Sequence, residues 1–259
     1  MFGLTAGAAF RALFSGGQSI QSLLLIEDPW PVKEPGDEEP KPPPQLDDGV
    51  SAERVASDTH LVPGLWKVDG YSKVADFLRR RFDLVDGNTY FELPYDWRRD
   101  NRAAAHRLAL NSRIWLAKRR EQYPDAKLVL VGHSMGGLVC RYFLEVLGGW
   151  RDTRRLITFG TPYRGSLNAV DFVANGFSKF FGLVDLTDLM CSFTSVHQLL
   201  PIYRCIDAGH DEMARLTEVP EVLPRLNPQQ IMSARAFHRE IEDAVTRHLN
   251  LDPPMKLVG

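Results

Sequence analysis

Cysteine is scarce in this sequence, and its scarcity excludes two structural devices. The 259 residues contain only Cys140, Cys191 and Cys205. Three scattered thiols are too few for a disulfide framework or a metal site, although they leave open one bridge between Cys191 and Cys205. Cysteine usage therefore assigns no redox compartment, and we expect neither a metal ion nor a cofactor.

The sequence also lacks an excess of charge and a long apolar run. It has 31 Lys and Arg against 33 Asp and Glu, a net charge of -2, so no basic surface predicts a nucleic-acid partner. No run reaches the roughly 18 apolar residues of a transmembrane helix. In residues 1–19 the first positive charge, Arg11, follows the apolar stretch, so we interpret this segment as a structural helix and not an export signal. We expect a cytoplasmic protein of undetermined oligomeric state.

The length and composition are sufficient for one large domain with a full core, since 44% of the 259 residues are hydrophobic. Residues 28–49 hold seven of the 17 prolines among acidic residues and predict an exposed loop with a polyproline bias. Residues 175–207 carry large apolar side chains in a helical scatter and predict a cap inserted over a sheet. The prediction is a single domain over residues 1–259 that contains both segments.

Hydrophobic periodicity predicts the regular elements. Helices are expected at residues 71–81, at residues 102–122, from Met135 to the Gly148-Gly149 pair and at residues 228–249. Strands are expected at "TYFELPY", "KLVLV", "RRLITFG" and "MKLVG". The run "KLVLV" is typical of a parallel strand covered on both faces. Alternating strands and helices predict an α/β fold with a mostly parallel sheet, right-handed crossovers and helices on both faces.

One turn carries a pattern associated with nucleophilic catalysis. Gly132-His133-Ser134-Met135-Gly136, here called the elbow, fits G-x-S-x-G between a buried strand and a helix. Glycines permit the tight packing around a strained serine whose hydroxyl is exposed. The Met135 amide at the helix N-terminus is the expected oxyanion donor. His133 is not expected to be the base, because neighbours on such a turn point in different directions. The alternative is a serine that only caps the helix.

A second motif, "FGTPYRGS", follows the next predicted strand. The ends of parallel strands meet at one edge of a sheet, so this loop is expected to border the pocket that Ser134 faces. Thr161, Tyr163 and Arg164 are the candidate substrate-binding residues. The alternative is a glycine-proline turn that only connects the strand to the cap.

Three stretches in order, "ELPYDWRRDN", "GHSMGGLVCRYFLE" and "ITFGTPYRGS", resemble the lecithin:cholesterol acyltransferase family of α/β-hydrolase proteins, particularly its bacterial members. Weaker likeness at "DGYSKVADFLRRRFDL", "SVHQLLPIYRCID" and "PMKLVG" extends the resemblance over about residues 9–259. The resemblance implies an α/β-hydrolase fold and acyl transfer on lipid esters, with Ser134 as the acylated residue. The "YDWR" box is a family marker, for which we favour a structural role beside the pocket.

The catalytic acid and histidine are expected to follow the serine in chain order. The resemblance places both beyond "MKLVG", so we expect this chain to lack them and its sheet to be incomplete. The internal candidates are Asp207 with His210, Asp243 with His248, His197 and His238. For all of these, ordinary surface or core roles are favoured.

The second oxyanion donor is also expected to be missing. It normally comes from a loop after an early strand. The one internal substitute is Gly64 in "LVPGLW", which we interpret as a connecting turn. A chain lacking pieces from both ends is expected to be nearly inert and poorly soluble alone.

These patterns favour serine-dependent acyl transfer on a lipid ester by an O-acyltransferase or lipase. Two alternatives remain at this point. One is a non-catalytic homologue that binds a lipid or a partner on the same scaffold, and the other is a small-molecule carboxylesterase. The apolar side chains of the cap suit an acyl chain, but such a set more often forms the core of the cap itself.

Overall fold

The computed structural model describes residues 23–28, 44, 46, 48, 50, 52, 59–62, 66–68, 71–175, 187–209, 212–223, 225–226 and 228–250. The predicted N-terminal helix, most of the proline-rich loop, Gly64, residues 176–186 of the cap, His210 and the "MKLVG" strand lie outside these residues. The chain divides into two compact units, which are described separately. The first contains residues 1–24, 45–97 and 110–126, and the second contains residues 25–44, 98–109 and 127–259.

Within the described residues, the first unit contains an antiparallel strand pair, one complete helix and the C-terminal part of a second helix. Strand β1 (Thr59–Val62) pairs with β2 (Trp66–Val68). Helix α1 (Ser72–Phe82) confirms the helix predicted at residues 71–81. It ends where Asp83 adopts the left-handed conformation and donates its amide to the Arg79 carbonyl. Three arginines in the last turn interact favourably with the negative end of the helix dipole.

The strand predicted at "TYFELPY" is wrong. The Val85 carbonyl accepts the amides of Asn88, Thr89 and Tyr90, which closes a local turn, and only an isolated bridge joins Asp86 to Tyr90. These short-range hydrogen bonds occupy the amides of Thr89 and Tyr90, the first two residues of the predicted strand. Pro94 has no amide hydrogen and further disfavours a ladder.

Helix α2 (Asn101–Arg120) confirms the second predicted helix, which was expected at residues 102–122. Its first turns carry alanines, the strongest helix formers, and its last turn is basic. The helix begins one residue after Asp100, whose side chain accepts the backbone amide of Arg102 at 2.8 Å. This hydrogen bond satisfies one of the amides that a helix N-terminus leaves without an internal acceptor.

The second unit contains the predicted strand, helix and strand around the elbow. Strand β3 (Leu128–His133) runs parallel to β4 (Thr153–Phe159), with His133 opposite Phe159. Helix α3 (Met135–Glu145) and a 3₁₀ turn (Gly149–Asp152) connect them. Gly148 takes a positive φ of 71° after the helix, as the predicted glycine stop requires. A parallel strand pair joined through a helix confirms the α/β class.

The β3–β4 sheet is smaller and more open than predicted. Leu130 and Gly132 are buried on the side of α3, but the alternating Val129 and Val131 are 55% and 45% exposed. The prediction that this strand is covered on both faces is therefore wrong for the described residues. A continuous apolar run does not distinguish a strand covered on both faces from one covered on a single face. The described strands form three two-stranded sheets, of which β3–β4 is the parallel one.

The remaining elements of the second unit follow β4. They are α4 (Leu167–Asn175), α5 (Thr187–Cys191), α6 (Thr194–His197), the antiparallel pair β5 (Ile206–Asp207) and β6 (Met213–Ala214), a 3₁₀ turn (Pro220–Val222) and α7 (Pro228–Leu249). Helix α7 confirms the helix predicted at residues 228–249. Its buried Phe237 stacks on Tyr142 of α3, with ring centroids 5.4 Å apart.

All three cysteines are free, so no bridge joins Cys191 to Cys205.

Candidate active site

Ser134 occupies a strained backbone conformation between β3 and α3. Its φ is 52° and its ψ is -125°, a region that residues with a side chain rarely adopt. Such a conformation costs about 1–3 kcal/mol and persists only where neighbouring contacts enforce it. The Ser134 amide donates to the Phe159 carbonyl at 2.8 Å, and its carbonyl accepts the Gly137 amide at 3.0 Å. The carbonyl also accepts the Thr161 hydroxyl at 2.9 Å.

Two glycines make this turn sterically possible. A Cβ added to Gly132 would lie 2.9 Å from the Gly137 Cα atom. A Cβ added to Gly137 would lie 2.0 Å from the Thr161 hydroxyl oxygen. Any larger residue at either position would therefore push α3 away from β3 or from the chain that leaves β4. The glycines that pack against neighbouring atoms are therefore Gly132, the first residue of the G-x-S-x-G pattern, and Gly137, the residue that follows the pattern.

The Ser134 hydroxyl does not cap helix α3. The side chain is half-buried, and its hydroxyl has no hydrogen-bond partner among the described residues. Met135 is the first residue of α3, and the first amides of a helix have no acceptor within it. An uncommitted hydroxyl and the positive end of a helix dipole therefore lie side by side. This arrangement can support attack on a carbonyl group and stabilise the negative charge that develops on its oxygen.

Of the three predicted substrate-binding residues, the structure brings one into contact with the elbow. Thr161 bonds the Ser134 carbonyl through its hydroxyl. The Tyr163 side chain is 44% exposed, and its hydroxyl oxygen lies 2.7 Å from that of Thr158. Arg164 is exposed, and its carbonyl accepts the amide of Ile202.

The loop at residues 160–166 is fastened to the segment that follows α6. The Ser166 amide donates to the Leu199 carbonyl at 2.8 Å, and the Ile202 amide donates to the Arg164 carbonyl at 3.1 Å. Gly165 has a φ of 86°, and a Cβ there would lie 2.2 Å from the Leu200 carbonyl oxygen. Only glycine permits this approach, so the loop has a defined path beside the elbow.

The histidines whose side chains the structure describes do not hydrogen bond to Ser134. His197 and His238 are buried, and burial lowers the pKa of both imidazoles, to about 4 for His197. His248 lies 2.8 Å from the Glu145 carboxylate at the far end of α3. Glu145 is about 16 Å along the helix from Ser134, at a rise of about 1.5 Å per residue. That acid and histidine pair therefore cannot take the Ser134 proton.

The sequence profile of the lecithin:cholesterol acyltransferase family matches residues 49–247. The chain belongs to the lecithin:cholesterol acyltransferase family. A search of curated proteins found no match. Membership in the lecithin:cholesterol acyltransferase family indicates, in general terms, acyltransferase or esterase chemistry on lipids. The matched range contains the elbow and the 160–166 loop.

This member of the lecithin:cholesterol acyltransferase family carries a buried charge network that the sequence analysis did not identify. The Arg102 guanidinium lies 2.7 Å from the carboxylates of both Asp100 and Glu240. The Tyr142 hydroxyl of α3 donates to Glu240 at 2.6 Å. Burial raises the pKa of the Asp100 carboxyl, and the Arg102 charge opposes that rise. The network ties α2, α3 and α7 together.

A second set of polar contacts extends the network towards the end of α6. The backbone amide and side-chain amide of Asn101 both donate to the Gln198 side-chain oxygen, at 2.9 and 2.8 Å. His238 Nε2 bonds the Gln198 carbonyl at 2.8 Å. Arg98 of the "YDWR" box is fully buried, and its carbonyl accepts the Ser195 amide. The one sequence signal for these contacts was the dense polar run "WRRDNR" at a helix start.

A small cavity lies in the same unit. Its lining residues include His197, Leu200, Ile202, Ile231 and Arg235. Ser134, Met135, Thr161, Tyr163 and Arg164 do not line it, and His197 is the one internal candidate for the catalytic histidine that does. Within the described part of the chain, no group of three or more His, Cys, Asp or Glu residues is placed to hold a metal ion. No helix there is long and apolar enough to cross a bilayer.

Buried His197 predicts a loss of stability in mild acid. The unfolded state gains a proton at this histidine below a pKa of about 6.5, whereas the folded state gains it only near pH 4. The stabilising contribution is therefore complete above pH 6.5 and is lost as the pH falls towards 4. Between pH 7 and pH 5, we expect wild type to lose about 2 kcal/mol more than His197→Gln in urea unfolding. Equal losses in wild type and His197→Gln would contradict this assignment.

Proposed function

We propose that this protein is a serine-dependent acyltransferase or lipase that acts on lipid esters, with Ser134 as the nucleophile. The observation that carries this proposal is the strained conformation of Ser134, at φ 52° and ψ -125°, between a parallel strand and a helix. A serine that served only as a helix cap would bond the helix amides, and Ser134 does not. Family membership supports the same class of reaction.

The proposed reaction has two stages. The Ser134 hydroxyl oxygen attacks the ester carbonyl carbon while a base takes its proton, and the carbonyl oxygen becomes an oxyanion that the Met135 amide stabilises. Collapse of this intermediate breaks the ester C–O bond, releases the alcohol with a proton and leaves an acyl group on Ser134. Water or a second alcohol then accepts the acyl group and restores the hydroxyl.

The finer features of the site belong to the same proposal. The exposed side chains of Tyr163 and Arg164 lie on a loop that is fixed beside the elbow, so they are available to contact an incoming ester. An α/β-hydrolase arrangement with a cap formed by residues 175–207 would supply an apolar cover for the acyl chain. Thr161, the third predicted substrate-binding residue, instead donates its hydroxyl to the Ser134 carbonyl.

Covalent labelling by a fluorophosphonate, followed by peptide mapping, tests the nucleophile. An activated serine displaces fluoride from phosphorus and keeps the phosphonyl group, which mass spectrometry can assign to one residue. We expect one adduct, on Ser134, that forms on native protein and not after unfolding in urea. Its formation should be slow, because the described residues supply no base that is hydrogen-bonded to Ser134. An adduct on another serine of the native protein, with Ser134 unmodified, would remove Ser134 from the mechanism.

A series of acyl esters then tests the substrate class. A lipid enzyme is expected to prefer long acyl chains, because each buried methylene contributes about 0.8 kcal/mol to binding. A preference for the shortest esters would favour a small-molecule carboxylesterase.

A non-catalytic lipid-binding role is the second candidate function. The observation that favours it is the absence of a hydrogen-bonded base at Ser134 among the described residues. This role predicts that vesicles carrying lipid esters bind the protein, that no ester is cleaved and that no fluorophosphonate adduct forms.

A further inference from the structure

Thr161 lies where the chain leaving β4 passes the elbow. In the parallel pairing His133 lies opposite Phe159, and the Ser134 amide continues the ladder by donating to the Phe159 carbonyl. The chain then turns at Gly160, which has a φ of 57°. Thr161 thus follows the end of the strand that already holds Ser134, and its hydroxyl donates to the Ser134 carbonyl at 2.9 Å.

The Ser134 carbonyl shares a peptide plane with the Met135 amide. In a trans peptide the C=O and N–H groups are coplanar and point in opposite directions. A donor that fixes the direction of the Ser134 carbonyl therefore also fixes the direction of the Met135 N–H. A hydrogen bond to the carbonyl further polarises the peptide and strengthens its N–H as a donor.

Packing fixes the Thr161 side chain independently of this hydrogen bond. A Cβ on Gly137 would lie 2.0, 2.7 and 2.8 Å from the Oγ1, Cγ2 and Cβ atoms of Thr161. The threonine therefore fills the space that the glycine leaves open on α3. The Gly137 amide, which also bonds the Ser134 carbonyl, belongs to the first turn of the helix. Thr161 is the contact to this peptide that comes from a separate element.

We infer that Thr161 is a positioning residue, which orients the Ser134–Met135 peptide so that the Met135 amide faces the developing oxyanion. This inference rests on the proposed function and assigns to Thr161 a role other than direct contact with the substrate. It predicts that the hydroxyl of Thr161 affects the chemical step and not the binding of the ester.

The test compares Thr161→Val with Thr161→Ser in the full chain, using fluorophosphonate concentration series. Thr161→Val keeps the shape but removes the donor, and we expect the maximal labelling rate to fall about tenfold with half-saturation changed less than twofold. Thr161→Ser restores the donor and is expected to recover most of that rate. Thr246→Val is the matched control, because the exposed Thr246 bonds only the Glu242 carbonyl of its own helix.

The outcomes separate this inference from the proposed function. If wild type is labelled on Ser134 and Thr161→Val reacts at the same maximal rate, the inference is overturned and the nucleophile stands. If wild type is not labelled, the proposed function fails, and a crystal structure of Thr161→Val decides the inference. An unchanged Ser134 φ and ψ would overturn it, and a rotated peptide would support it. Thr161→Ala replaces Thr161→Val in both measurements if the valine variant does not fold.

Discussion

Ser134→Ala and Ser134→Gly are expected to eliminate acylation equally but to differ in stability. Both remove the nucleophile, and in a measured serine protease that loss lowers turnover by about 10⁶-fold. Alanine keeps a Cβ at a φ of 52°, so its strain remains. Glycine adopts this conformation without the Cβ conflict. We therefore expect the free energy of unfolding of Ser134→Gly, measured in urea, to exceed that of wild type by about 1 kcal/mol.

Two controls make this comparison specific. Ser233→Ala removes an exposed hydroxyl of α7 and is expected to leave labelling unchanged. Asp83→Gly replaces the other described non-glycine residue with positive φ, whose φ of 50° and ψ of 49° lie in the left-handed region that aspartate tolerates. It should therefore gain less stability than Ser134→Gly. Glycine also loses more conformational entropy on folding, and the Asp83→Gly control carries the same cost. A gain for Ser134→Gly no larger than that for Asp83→Gly would contradict stored strain at Ser134.

Arg102→Met is expected to destabilise the protein by about 3–5 kcal/mol, because it leaves the fully buried carboxylate of Asp100 without its cationic partner. Arg102 is bonded to Asp100 at 2.7 Å and to Glu240 at 2.7 Å, so one substitution opens both contacts. Urea unfolding at pH 7 measures the loss. Arg239→Ala breaks an exposed ion pair with Asp243 and should change stability by less than about 0.5 kcal/mol.

The pH dependence of Arg102→Met supplies a second readout. Without the guanidinium, the pKa of Asp100 rises further above its ordinary value, so the folded state binds a proton more tightly than the unfolded state does. Stability relative to wild type should therefore recover as the pH falls towards the ordinary carboxyl pKa. Adding Asp100→Asn should also recover part of the loss. If the loss of stability relative to wild type does not change with pH and is not reduced by Asp100→Asn, the unpaired carboxylate of Asp100 is not its cause.

Local patterns in the sequence predicted most of the regular elements near the elbow. Helical periodicity placed α1, α2, α3 and α7 within two residues at each end except at the end of α3, and apolar runs placed β3 and β4. These elements have strong local signals, namely a repeat of apolar residues and a glycine stop. The strand expected at "TYFELPY" is wrong: the turn closed by Val85 takes the amides of its first two residues, and Pro94 has no amide hydrogen to donate.

Only part of the candidate site could be predicted from the sequence. The glycine pattern predicted the strained turn at Ser134, and the order of strands predicted that Thr161 would lie near it. The buried network could not be predicted, because Arg102 and Glu240 are 138 positions apart and each resembles an ordinary surface charge. Only the packing of α7 against α3 brings them together. The single-domain organisation and the roles of Tyr163 and Arg164 stay predictions.

The double attachment of the 160–166 loop limits how the surface beside Ser134 can change shape. One end of the loop holds the Ser134 carbonyl through Thr161, and the other is bonded to Leu199 and Ile202 by backbone hydrogen bonds. Moving this loop away from Ser134 would break those hydrogen bonds and disturb the Ser134–Met135 peptide. If the proposed function holds, an ester that approaches Ser134 would meet a fixed backbone on the side of this loop, and any movement that admits a bulkier ester would have to come from other residues around Ser134.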